Sequence, residues 1–226
     1  MFARLRSTRY TNFVLEILMI VVGINVALWF EGWFDDLKDA ETERQYLAGL
    51  RDDLRADVGS LENLIRNNRI KIDNLEKIIP ALTGLADAQP ETQANAIFEP
   101  SNYLFFQPAD FTYRSMQESG DFRLLSDAEI KKGILRLIRK YREIEELQIN
   151  FLQAMDDIYI PTMMRKFDLM EGRISDVSLV EDQAFLNFFL YTLQETDGRN
   201  DAYVQAREQA QDLLDAITSQ LGKETI

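Results

Sequence analysis

The sequence predicts an all-α protein: a single N-terminal transmembrane helix followed by an extracytoplasmic bundle of long helices. Three observations lead there. Residues 13–30, FVLEILMIVVGINVALWF, form an apolar run whose only charge is Glu16. Beyond it, apolar residues recur at spacings of three and four rather than two, the period of a helix with one buried face. With 46% hydrophobic residues in 226, the chain has enough apolar surface for a core.

Composition narrows the chemistry. The chain has no histidine and no cysteine, which removes disulfides, thiol nucleophiles, imidazole bases and zinc sites built on those ligands. A net charge of -13 argues against a nucleic-acid partner, which requires a positive face. The expected inventory is no catalytic residue, no metal and no cofactor.

Residues 1–12 read as a short cytoplasmic tail carrying Arg4, Arg6 and Arg9, and residues 13–34 as the anchor with its interfacial belt. As a helix, 22 residues span about 33 Å, enough to cross a bilayer. Arginines before the span and acids after it (Glu31, Asp35, Asp36) place the N-terminus inside, in the cytoplasm, and the remainder outside. A cleaved signal peptide would end in small residues; this run leaves through Trp29, Phe30 and Trp33. Trp29 and Trp33 share one helical face at interfacial depth. Glu16, Gly23 and Ala27 share another, and Gly23-x-x-x-Ala27 permits close approach of a partner helix. Glu16 either contacts that partner or snorkels to the nearby surface. Asn25 seeks a hydrogen-bond partner but points sideways from that face.

Residues 35–226 make up the outer bundle. Leu54, Val58, Leu61, Ile65, Asn68, Ile72, Leu75, Ile79 and Leu82 form one stripe, in a helix that Pro80 should end or kink. Gly32 is the natural place for a bend. Asn68 is either a register or partner contact in a coiled coil or the point where the stripe leaves the core. Residues 80–109 hold four of the five prolines and a group of aromatics. They read as a packed loop with a short helix near Glu91 to Phe98. A further short helix stops at Gly120, a C-cap. Ser126-x-x-Glu129 is a capping-box pattern opening a helix of some 33 residues that ends before Pro161. Its apolar stripe runs Ile130, Ile134, Leu137, Tyr141, Ile144, Leu147, Phe151, Met155 and Ile158, and its basic outer residues read as a solvated face. Ser178-x-x-Glu181 repeats the pattern before a last helical region, read as continuous through Gly198.

Two patches resemble a known family. Glu16-Ile17, Gly23-Ile24-x-x-Ala27-Leu28 and the box Glu31-Gly32-Trp33-Phe34-Asp35 are similar to the start of a family of uncharacterised, membrane-anchored bacterial proteins frequent in Bacteroidetes and present in other Gram-negative lineages. There the box reads Asn-Asn-Trp-Asn-Glu; the Trp and trailing acid match here and the asparagines do not. The run from Tyr113 to Asp127, YRSMQESGDFRLLSD, resembles the family's second segment, where a helix stops at Ser-Gly and restarts at Ser. The resemblance implies the topology, with a single span in a bacterial inner (cytoplasmic) membrane and the bundle in the periplasm, and adds no activity or catalytic residue.

Function is then expected from association. The leading reading is a structural or accessory protein that self-associates or binds an envelope membrane partner. An extracytoplasmic sensor or ligand-binding subunit signalling through a partner is the alternative, and a carboxylate-based enzyme the remaining one. The lipid bilayer is a partner in each.

Overall fold

The computed structural model describes the backbone of residues 4–223 and the side chains of residues 15–223. Residues 1–3 and the side chains of Arg4, Arg6 and Arg9, on which the expected inward orientation rests, lie outside the described residues. The fold is all-α. Helix α1, Arg4–Ala81, is assigned without a break through Gly32, and Pro80 sits in its last turn. Proline removes a backbone donor there, and the chain tightens into the 3₁₀ turn Leu82–Asp87. One helix among the described residues, this one, is long and apolar enough to cross a membrane, and none of its apolar window is buried by the rest of the chain.

Above the bare stretch of α1, the chain folds as a bundle with an unusual second limb. Helix α2, Pro90–Phe98, covers the far end. Residues 102–110, without regular structure, then lead back toward the span, followed by α3, Phe111–Ser119, and a 3₁₀ turn, Asp121–Leu124. Helix α4, Ala128–Ala154, ascends beside α1 in the same direction: Ser126 bonds Glu43 and Tyr141 bonds Asp57. A π-turn, Met155–Tyr159, passes into α5, Ile160–Lys166. A two-residue hairpin pairs β1, Phe167–Asp168, with β2, Arg173–Ile174. Helix α6, Gln183–Lys223, descends as one piece and is the principal partner of both α1 and α4.

Three details differ from the sequence expectation. The chain does not leave helix before Pro161, because the π-turn widens the helix and Ile160 N–H reaches the Met155 carbonyl; Pro161 then falls in the first turn of α5, where no donor is needed. The N-cap of α4 is Asp127, whose carboxylate accepts from the N–H groups of Glu129 and Ile130. Ser126 is drawn aside to donate to Glu43, and Glu129 turns to Lys132. The Ser178–Glu181 pattern caps no α-helix: it lies in a 3₁₀ turn, Val177–Glu181, led by Asp176, and Asp182 caps α6 through Ala184 and Phe185. In each case a carboxylate, the stronger acceptor, takes the place of the hydroxyl.

The buried positions of the three long helices follow an alternation of three and four more regular than apolar residues alone suggest. On α1 it runs Leu47, Leu50, Leu54, Asp57, Leu61, Leu64, Asn68, Lys71 and Leu75; on α4 Ile130, Ile134, Leu137, Tyr141, Ile144, Gln148 and Phe151, continued by Met155 at the start of the π-turn. The expected Val58 and Ile72 are only half-buried, and Asp57 and Lys71 lie deeper; on α4 Gln148 replaces Leu147, and in the π-turn after it Tyr159 replaces Ile158. This repeat suits helices that pack at a shallow angle. It divides into two cores. The core nearer the span is aliphatic, built on leucines of α1, isoleucines of α4 and Ala202, Ala206 and Ala210 of α6. The far core is aromatic, built on Phe151, Tyr159, Phe185, Phe188 and Phe189.

Candidate functional site

Between the two cores lies a layer of buried polar side chains, and two of them are cations. Lys71 of α1 is 4% exposed and Arg199 of α6 is 2% exposed. Both lie against Phe151, which is fully buried: the guanidinium carbon is 4.4 Å from the ring centre and the ammonium 5.5 Å. The ring faces supply part of the attraction each cation loses on leaving water. Lys71 Nζ also donates to the carbonyls of Pro100 and Asn102, both at 2.9 Å. Arg199 Nη2 reaches Thr196 Oγ1 at 3.4 Å, while its Nη1 is buried without a partner.

No carboxylate lies within ion-pair distance of either cation among the described residues. The nearest electrostatic counterpart of Lys71 is Glu99, whose Oε1 accepts from Asn74 Nδ2 at 3.2 Å. Burial, and then the charge of Arg199, brings Lys71 down to about 7 against the opposing pull of Glu99. Burial also lowers Arg199. The layer is therefore short of negative charge.

The rest of the layer is better satisfied. Gln148 Oε1 accepts from Phe106 N–H at 2.7 Å and from the Tyr203 hydroxyl at 2.9 Å, and its amide donates to the Phe106 carbonyl. A single side chain thus replaces the strand neighbour that segment 102–110 lacks. Thr192 donates to the Phe188 carbonyl. Asn68 is 6% exposed, so it lies inside the bundle rather than where the stripe leaves it, and its Nδ2 is buried without a partner. A cavity of about 70 Å³ opens beside it, lined by Asn68, Lys71, Asn74, Glu99, Asn102 and Tyr103 among others.

Below the layer, carboxylates of α1 hold the descending limb. Asp57 accepts from Ala109 N–H and from the Tyr141 hydroxyl, Asp53 from Thr112 N–H, and Glu43 from Ser126. Burial raises Asp57 despite these bonds. Three of these contacts, from the N–H groups of Ala109, Thr112 and Ser126, satisfy backbone donors in the irregular stretches or in the first turn of α3, which have no backbone partner of their own.

The residues singled out in the anchor are not gathered by the bundle. Glu16, Gly23, Ala27, Trp29 and Trp33 are all exposed on α1, and a Cβ on Gly23 would meet nothing within 4 Å. Asn25 donates to the Val21 carbonyl one turn earlier, so its amide is served within its own helix. Gly120 ends α3 at φ +77°, the left-handed cap expected of it. Lys71, Gln148 and Arg199 were not singled out from the sequence. The signal that finds them is the strict three-four count, continued through polar residues instead of around them.

Residues 16–196, about four-fifths of the chain, match a family of unknown function (DUF6090). No curated protein and no solved structure matches.

Proposed function

This chain belongs to the DUF6090 family, and from that premise we propose that it is a membrane-anchored helical scaffold or accessory protein. It works by association, with itself or with a membrane partner in the envelope. Its N-terminus lies in the cytoplasm and its bundle on the outer side of the cytoplasmic membrane. The observation that carries the reading is the continuity of α1 from the exposed apolar stretch into both cores. Whatever packs against Gly23 and Ala27 is thereby fixed in orientation to the bundle, with no hinge between them. From Trp33 to Ala81 the helix extends about 72 Å, so the far core stands well away from the bilayer.

Two measurements test it. A reporter active only outside the cytoplasm should work when fused after Ile226; activity of a cytoplasm-only reporter there would reverse the orientation. The oligomeric mass of the detergent-solubilised chain, with co-purifying subunits identified, should exceed that of a monomer and fall in Gly23→Leu, because added bulk prevents close approach without lowering apolarity. A monomeric mass for both leaves the anchor a tether.

The polar layer favours a second reading, a sensor subunit that passes a bound state to a partner through the same helix. Its unmatched cations and unpartnered amide are the features a ligand would satisfy.

A further inference from the structure

We propose that the cavity beside Lys71 binds a small monovalent anion, of the formate, nitrate or bicarbonate class, between the ammonium of Lys71 and the amide of Asn68. The proposal deepens the second reading above and is independent of whether the anchor associates.

The layer contains two buried cations and, close by, one carboxylate. Buried charge without a counter-charge is costly, and the cost shows here as an ammonium whose proton is loosened by burial and by Arg199. The groups that face Lys71 are Glu99 from the 3₁₀ turn Glu99–Ser101, Tyr103 from the descending limb, Phe151 from α4 and Arg199 from α6. Of these only Glu99 is an acid, and it is beyond ion-pair distance with one oxygen already held by Asn74. Two of the three ammonium hydrogens go to the Pro100 and Asn102 carbonyls, leaving one for an occupant.

Asn68 supplies the independent observation. It lines the cavity, is more than nine-tenths buried, and its Nδ2 has no partner. That nitrogen is sealed from solvent as it stands, and the proposed binding requires rotation about the soft Cβ–Cγ bond to bring the amide to the cavity. An anion there would accept from both the amide and the ammonium.

Size and charge set the class. A cavity of about 70 Å³ is half of one that accommodates benzene, about 150 Å³. It holds an ion of about four heavy atoms. Glu99 on the same wall disfavours a second negative charge, so a divalent ion such as sulfate is a poor occupant and a monovalent ion a good one.

The test uses the full chain in detergent, with gluconate, too large for the cavity, as the reference anion at constant ionic strength. Adding sodium formate or sodium nitrate at about pH 6 should raise the melting temperature saturably, by about 3 °C, and sodium sulfate should give no saturable rise. The rise should shrink at about pH 9, where Lys71 has lost its proton. Lys71→Met should abolish it. Asn68→Asp, which builds a carboxylate into the site, should melt higher than wild type in gluconate alone and gain nothing from formate. Equal melting temperatures in formate and gluconate would overturn the proposal. So would a formate effect that is the same at both pH values, or one retained in Asn68→Asp.

Discussion

The two cores of the bundle are built differently, and the contrast explains which parts of the molecule tolerate irregular backbone. Near the span, aliphatic side chains repeat at three-four spacing on α1 and α4, alanines let α6 approach closely, and the one limb without regular structure is held by α1 carboxylates. In the far core, stacked and edge-on rings fill the space: Tyr159 lies 5.7 Å from Phe185 and 5.1 Å from Phe188, in near-parallel planes. Large flat side chains can bridge the uneven gaps that a π-turn, a hairpin and two 3₁₀ turns leave. The backbone of that region is satisfied from within. Gln93 donates to the carbonyls of Ala86 and Ala88 and accepts from Ile174 N–H, and the Tyr159 hydroxyl donates to the Ile97 carbonyl. Regular helices need only apolar repeats; irregular turns need a dedicated polar side chain at each break.

The largest test of this contrast is truncation on each side of the layer. Phe151→Ala should destabilise the full chain by about 3–5 kcal/mol and Leu137→Ala by about 2–5, with Phe151 the costlier, as measured by denaturant unfolding in detergent. The reason is that removing the ring also strips two buried cations of the face they lie on. A larger loss at Leu137 would mean that the aliphatic core carries the fold alone.

Next in size is Tyr141→Phe, expected to cost about 1–3 kcal/mol because it leaves Asp57 Oδ2 buried and short of a donor. A neutral result would show water reaching Asp57 and the near core to be less sealed than the far one.

The pH dependence sharpens the role of the layer itself. Between pH 7 and the ordinary lysine range, the unfolded chain keeps a proton on Lys71 that the folded chain has shed. Stability should therefore rise with pH across that window in gluconate, and Lys71→Met should flatten the rise. A melting temperature that falls from about pH 7 to about pH 9 in wild type, and equally in the variant, would assign the pH response elsewhere.

The smallest effects come from two glycines of the near core. A Cβ at Gly49 would sit 2.8 Å from Thr112 Oγ1, on the limb held by Asp53, whereas at Gly133 it would meet the end of Leu213 at 3.0 Å. Gly49→Ala should cost about 1 kcal/mol. Gly133→Ala should cost less, because the leucine tip can move and alanine favours helix over glycine.

Much of the architecture could be read from the sequence, and the reasons are local. Apolar periodicity on α1, α4 and α6 is a direct consequence of burial on one face. The stop at Gly120 needs only the left-handed backbone that glycine allows. The site was harder to see. Lys71, Gln148 and Arg199 are side chains whose usual place is the surface, and what makes them interior is the count of residues between leucines that flank them. The caps depart from the pattern for a related reason: Ser126 and Ser178 match it, but Asp127 and Asp182 are the better acceptors and sit one and four residues later. The parallel course of α1 and α4 had no signature in either helix, because it depends on residues 99–126 taking the intervening descent.

An unbroken seven-residue repeat on three helices has a hazard of its own. Sliding α6 by one repeat, about 10 Å, would keep its buried stripe facing the other helices, so the period by itself does not fix the alignment. The change from rings to alanines along α6 opposes such a slide, and the polar layer opposes it as well. In the shifted arrangement Arg199 would leave the Phe151 ring for a neighbourhood of leucines, and Gln148 would lose the Tyr203 hydroxyl. Arg199 and Gln148 thus act as the teeth of a key, disfavouring the shifted alignment of α6.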